Sequence, residues 1–310
     1  MPASLVLALA LIGISFAGPL VRLSHAHPLA IAIWRIGFSL IIVVIALAVT
    51  GSWRQWKRLT RGEVAVATGA GAMLAIHFWT WNASIDLTTV AASVVLVNMQ
   101  PALVALLSAV WLREPPSRRQ WLGIGVAMLG AFVVALPDLM TSGGAAANAE
   151  LGDVLALAGA AAASLYFVAG RRLRATLDIW PYVAVVYGTC FVVLIALATV
   201  VHAPVWHQPP RELAIFAALA IGPMLFGHTG LNWALKYLPA YVVNLTLLGE
   251  PVGATVLAAI LPGIRELPGA ATLFGGALIL EGIYVTARTA RPAIARARDV
   301  GTTLPREASD

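Results

Sequence analysis

The sequence predicts an all-α membrane protein with ten transmembrane helices forming two inverted five-helix repeats. Three observations carry this reading. The 310 residues are 60% hydrophobic and only 11% charged, with a mean hydropathy of +0.87. The apolar residues fall into ten runs of membrane-crossing length. The second half of the chain echoes the first at a shift of 150 residues.

The composition excludes several classes at once. A soluble domain carries about 25% charged residues, and surface-to-volume scaling leaves a globule of this length no way to hide so much apolar surface. A cytosolic enzyme, a secreted domain and a nucleic-acid-binding domain are therefore set aside, and the net charge of +6 is read as loop charge rather than as a nucleic-acid footprint. An outer-membrane barrel would alternate apolar and polar residues instead of running continuously apolar. The single cysteine, Cys190, excludes an internal disulfide framework and a cysteine-based zinc site; it is expected on one face of a mid-chain helix as a small hydrophobe.

A helix crosses the hydrocarbon core with about 20 apolar residues. Breaks at charges, Pro and Gly place the spans at 3–21, 28–50, 63–84, 88–112, 119–136, 151–170, 181–201, 212–235, 239–261 and 268–287. The first is read as a span rather than a cleavable signal, because no Lys or Arg precedes its apolar run. Residues 137–150, rich in Gly, Ala and Asn, read as a linker between a first repeat (1–136) and a second (151–287), and 288–310 as a basic tail. Ten spans put both termini on one side. Sixteen Lys and Arg flank the spans on that side, three on the other (Arg22, Arg211, Arg265), and Arg35 lies inside span 2. The bias predicts cytoplasmic termini and a bacterial inner-membrane address.

The shift of 150 residues lays Asn82 on Asn232 and Gln100–Pro101 on Glu250–Pro251. With a two-residue insertion, Glu114 falls on Glu266, and each is followed by glycines nine and sixteen residues later: Gly123 and Gly130, Gly275 and Gly282. Five spans per half is an odd number, so the halves cross in opposite senses, as in many secondary transporters with a midplane site between halves. A duplication that served folding alone is the alternative.

The stretches NMQPALVALLSAVWLREPPSRRQWLGIGVAMLGAFVV and LLGEPVGATVLAAILPGIRELPGAATLFGGALIL resemble the ends of the two repeats of drug/metabolite transporters of the EamA type, and Arg35 fits the same pattern. The resemblance spans about residues 3–287 and implies a ten-helix transporter of small metabolites or drugs, many relatives being amino-acid exporters. Where an acidic residue is expected before the first-repeat proline, this chain carries Gln100, while Glu250 is kept in the second. No symmetric carboxylate pair is then available to a mechanism.

Polar groups in hydrocarbon are costly and mark candidate sites. Glu250 lies about 11 residues into span 9, roughly 17 Å deep, and Gln100 reaches a similar depth from the other side of the membrane. Pro101 and Pro251 each remove a backbone donor and are candidate hinges. Asn98 and Asn244 add amides within two turns of these prolines, able to hold a zwitterion or to join helices. Arg35 either receives a carboxylate or locks helices. His77 and Trp81, one helical turn apart, form with Phe78 and Trp79 either an aromatic wall bearing a titratable group or an interfacial belt. In span 8, Gly222, Phe226, Gly230, Trp233 and Tyr237 form a stripe that serves packing or contacts a ligand. Glu281 reads as structural or dimer-related.

No Walker-type phosphate loop, HExxH or clustered Cys/His set occurs in the sequence, so no cofactor, metal or enzymatic chemistry is expected. The expected function is export of small amphipathic metabolites by alternating access. Amino acids are the leading class, aromatic or other hydrophobic ones favoured, with possible proton coupling through Glu250 and His77. The expected binding set is His77, Trp81, Asn98, Gln100, Trp233, Asn244 and Glu250, in a cavity between spans 3, 4, 8 and 9 with help from 1 and 6. An exporter of another metabolite or drug class, a membrane-embedded enzyme and a non-transporting scaffold are the alternatives.

Overall fold

The fold is taken from a computed structural model, which describes residues 2–88, 90–141, 148–260 and 269–289. Among them all regular structure is helical, and ten elements are long and apolar enough to cross a membrane. They are α1 (Ala3–Val21), α2 (Pro28–Thr50), α3 (Arg61–Ser84), α4 (Ala92–Trp111), α5 (Arg118–Pro137), α6 (Ala149–Arg174), α7 (Ile179–Val200), α8 (Pro210–Ala234), α9 (Ala240–Leu257) and α10 (Ala270–Arg288). Each coincides with an expected span to within a few residues at most described ends. The helix of α5 continues through Pro137 to Thr141, into the stretch read as linker. Residues 142–147, Glu266 and the tail beyond Thr289 lie outside the described residues. Arg171 and Arg174, expected in a loop, instead occupy the last turn of α6 and are buried.

Local chemistry sets the ends. Thr60 and Glu63 close a capping box at the start of α3, and Ser117 and Gln120 exchange the same two bonds at α5. Pro28 and Pro210 sit in first turns, where a missing N–H costs nothing. Gly51 ends α2 with φ +63°, a left-handed cap that suits a residue without Cβ.

Small residues let the helices approach closely, as they must where lipid is as apolar as leucine. A Cβ on Gly130 would lie 2.5 Å from the Gly275 carbonyl oxygen, and one on Gly123 would lie 2.8 Å from that of Gly282. The α5–α10 seam is therefore antiparallel backbone against backbone. Gly159 and Gly152 of α6 pack on Thr80 and Thr88 at the end of the α3 helix, while Gly13 of α1 packs on Gly222 of α8 and Ala10 on Gly230. Apolar side chains cover the outside, Val49 (82% exposed) and Val110 (72%) among them, as a lipid-facing perimeter requires. Tyr166, Tyr187 and Cys190 are fully buried at the centre.

The turns meet at two opposite ends. At one, Asp178 of the α6–α7 turn accepts from Gln55, after α2, at 2.6 Å and from Lys236, after α8, at 3.2 Å. The Gln55 amide, and then Lys236, hold the Asp178 carboxyl below its usual range. Glu114, after α4, accepts from Arg171 at 2.6 Å, and the same guanidinium donates to the Leu235 carbonyl at 2.7 Å. At the other end Ser24 and the His25 N–H donate to Glu212, and Trp34 Nε1 donates to Val205 O.

Candidate functional site

Three spans change their winding in mid-membrane. The α4 helix stops at Val97, turns through Asn98–Met99 and restarts at Gln100, with Pro101 in its first turn. In α9, Thr246–Gly249 tightens to 3-10 winding before the helix restarts at Glu250, with Pro251 next. Both prolines thus sit where a helix begins, not inside one, and their missing donors leave no ladder gap. In α8, Ala220–Thr229 widens to π winding around Pro223.

These breaks surround a central cavity of about 100 Å³. His77, Phe78 and Trp81 of α3, Asn98 and Gln100 of α4, Pro223 and His228 of α8 and Glu250 of α9 line it. Further walls come from Ile14 and Ala17 of α1, Arg35 of α2, and Tyr166 and Phe167 of α6. His77 and Trp81 are stacked, with ring planes 3° apart. His77 Nδ1 lies 3.0 Å from the Gly159 carbonyl, an acceptor only, so that nitrogen carries the proton. Phe78 takes the Arg35 guanidinium on its face, 3.8 Å from the ring centre, and meets His228 edge-on.

The polar groups of the cavity are conspicuously free. Arg35 Nε, Trp81 Nε1 and His228 Nδ1 are buried without a hydrogen-bond partner. Arg35 has no ion pair, and the side chains of Asn98, Gln100 and Glu250 have no hydrogen bond among the described residues. A guanidinium and a carboxyl that share a cavity without a direct ion pair keep hydrogen-bonding capacity that a polar guest can satisfy.

Of the seven expected binding residues, His77, Trp81, Asn98, Gln100 and Glu250 meet at this cavity. Trp233 does not: it pairs with Tyr237 (centroids 4.4 Å apart) in a second cavity at the basic end. Asn244 is fully buried in α9 away from the cavity, both its amide atoms unpaired. The α8 stripe does not form one face, since Phe226 is 60% exposed and Gly230 packs on α1. Trp79 is exposed, as a belt residue would be, and Glu281 lies on the exposed side of α10.

Sequence reading passed over Tyr166, Phe167, Pro223 and His228. The signal for His228 lay in the repeat itself: the 150-residue shift sets it on Phe78, beside His77. Asn232, the shift partner of Asn82, donates to the Tyr166 hydroxyl and, at 2.8 Å, to the His228 carbonyl, bracing the cavity wall.

Ten apolar spans around a cavity that Arg35, His77, Gln100 and Glu250 reach define a multi-pass membrane protein with polar groups gathered at its centre. Comparison makes the assignment: residues 1–136 and 150–288 match the EamA-like transporter family, to which this chain belongs. An "Uncharacterized transporter" of Archaeoglobus fulgidus is similar, 26% identical over 288 residues, covering 89% of this chain and 94% of that protein. A protein of known crystal structure shares the fold, with a TM-score of 0.74 at 22% identity over 97% of this chain and 99% of that one. The protein is thus a membrane transporter rather than an enzyme.

Proposed function

We propose that the protein exports zwitterionic amphiphiles, amino acids first among them, by alternating access between two inverted five-helix halves. The observation that carries this reading is the pair of opposite charges, Arg35 and Glu250, on one cavity, with no direct ion pair between them among the described residues. Arg35 suits a carboxylate, which it can meet with two parallel N–H bonds. Glu250 suits an ammonium, with Gln100 and Asn98 as amide partners, and the rings of Phe78, Trp81 and Phe167 suit an apolar side chain.

The antiparallel α5–α10 seam, in which shift-related glycines meet, supports inverted halves. A cavity of about 100 Å³ holds roughly three waters at ~30 Å³ each. An aromatic substrate therefore requires the bundle to open, and the helix breaks before Pro101 and Pro251 are the natural places to bend. The charge bias of the loops supports cytoplasmic termini in a bacterial inner membrane. Proton coupling through Glu250 and His77 predicts flux that follows an imposed pH gradient.

Purified protein in liposomes, offered labelled amino acids singly, tests the substrate class. Uptake or efflux of at least one above protein-free vesicles is expected. No flux for any of them, with an active panel of amines or carboxylates, would reassign the cavity to those ions.

A further inference from the structure

A second cavity is larger than the central one. It encloses about 560 Å³ at the basic end, between the ends of α2, α6 and α8 and the start of α7. Four cations line it, Arg54, Arg58, Arg174 and Lys236, against one carboxylate, Asp178. Asp178 is already taken by Lys236 and Gln55. Arg174 is spent on carbonyls, donating to Asn232 O and Leu177 O. Such bonds neutralise helix C-termini and explain that residue without a ligand. Among the described residues Arg54 and Arg58 have no acidic partner. Arg54 folds back over Gly51, its Nη1 in ordinary contact range at 3.8 Å from where a Cβ would stand.

The depth of this cavity is marked by indoles. Trp180 and Trp233 line it, while Trp53 and Trp56 of the adjoining turn are exposed, and Trp56 Nε1 donates to Pro181 O at 3.1 Å. Tryptophan collects at the level of lipid headgroups, and basic pockets between helices at that level suit anionic headgroups.

We propose that this pocket binds a phosphate group, with Arg54 and Arg58 as its charge partners and an anionic membrane phospholipid as its source. It is a site separate from the central cavity and independent of what the transporter carries. The test uses the full chain in phosphatidylcholine nanodiscs doped with phosphatidylglycerol, with bound lipid read by native mass spectrometry. Arg54→Gln/Arg58→Gln is compared with Arg118→Gln/Arg119→Gln, which removes two exposed cations elsewhere at the same end. Two lost headgroup contacts predict a roughly 10- to 30-fold drop in retained phosphatidylglycerol for the first pair and little change for the second. In lipid-free phosphatidylglycerol's place, inorganic phosphate in pure phosphatidylcholine discs identifies a soluble source. A thermal shift that needs Arg54 and Arg58 there would keep the phosphate site but move its ligand to solution. Equal loss in both double variants, or binding of neither probe, overturns the proposal.

Discussion

The two halves of the chain are alike where helices touch and unlike where the cavity is lined. Under the 150-residue shift, Gln100–Pro101 and Glu250–Pro251 both follow a break in winding and both begin a helix. Yet the first half brings an amide and the second a carboxylate, and Arg35 corresponds to Val185, His228 to Phe78. The break before proline recurs while the charges do not. A lining whose charges sit in only one copy gives the cavity a positive side and a negative side, and so an orientation for whatever enters.

The shared frame should be the harder part to injure mildly. Gly130→Leu drives a side chain into the backbone of Gly275 and Ile279. It should cost more than the usual 1–3 kcal/mol of overpacking and collapse the yield of monodisperse protein. Gly125→Leu, where nothing lies within 4 Å, should purify normally by size-exclusion chromatography. Equal yields would mean that the seam is looser than its glycines imply.

The unshared lining should respond selectively. Glu250→Gln removes one charged contact, worth about 1.5–3 kcal/mol, and should slow amino-acid flux some 10- to 100-fold while sparing substrates that lack an amine. Arg35→Gln should do the reverse, sparing those that lack a carboxylate. If both variants lose all substrates alike, the two residues hold the fold and do not read charge. Gln100→Glu makes the halves match and places a second carboxylate on the cavity. A several-fold shift of preference from zwitterions toward cations is expected in competition assays, smaller than the loss from Glu250→Gln.

The smallest effect concerns the turns. Asp178→Asn should lower thermal stability by less than about 1 kcal/mol, since the carboxylate is half exposed. Its folded-state acidity is raised, so the contribution is present above the ordinary aspartate value of about 3.9 and fades only as pH falls below it. Melting curves of wild type and variant should converge in acid and separate at neutrality.

Spans were readable from the sequence because hydrocarbon thickness dictates their length, and Arg, Pro and Gly mark where they leave it. Polar residues inside those runs were readable too, which is why His77, Trp81, Asn98, Gln100 and Glu250 could be named, and they lie together on the cavity. Winding was the part that could not be read. Trp233 is five residues beyond His228, about 140° around an α-helix and ~7 Å nearer the basic end. Asn244 is six before Glu250, about 120° away, with a 3-10 stretch between them. Proximity in sequence brought these two into the expected set, but helical phase separates them from the cavity. The role of Arg35 depended on its surroundings, and a sequence cannot show that a guanidinium lies on the face of Phe78 at the same cavity as Glu250.

The α5–α10 seam carries a lesson about origin. Gly123 meets Gly282 and Gly130 meets Gly275, whereas the repeat equates Gly123 with Gly275 and Gly130 with Gly282. In the inverted-halves reading proposed above, each surface is the complement of its own copy turned upside down. On that reading the seam is as old as the duplication, and the charges that differ between the copies are younger than it.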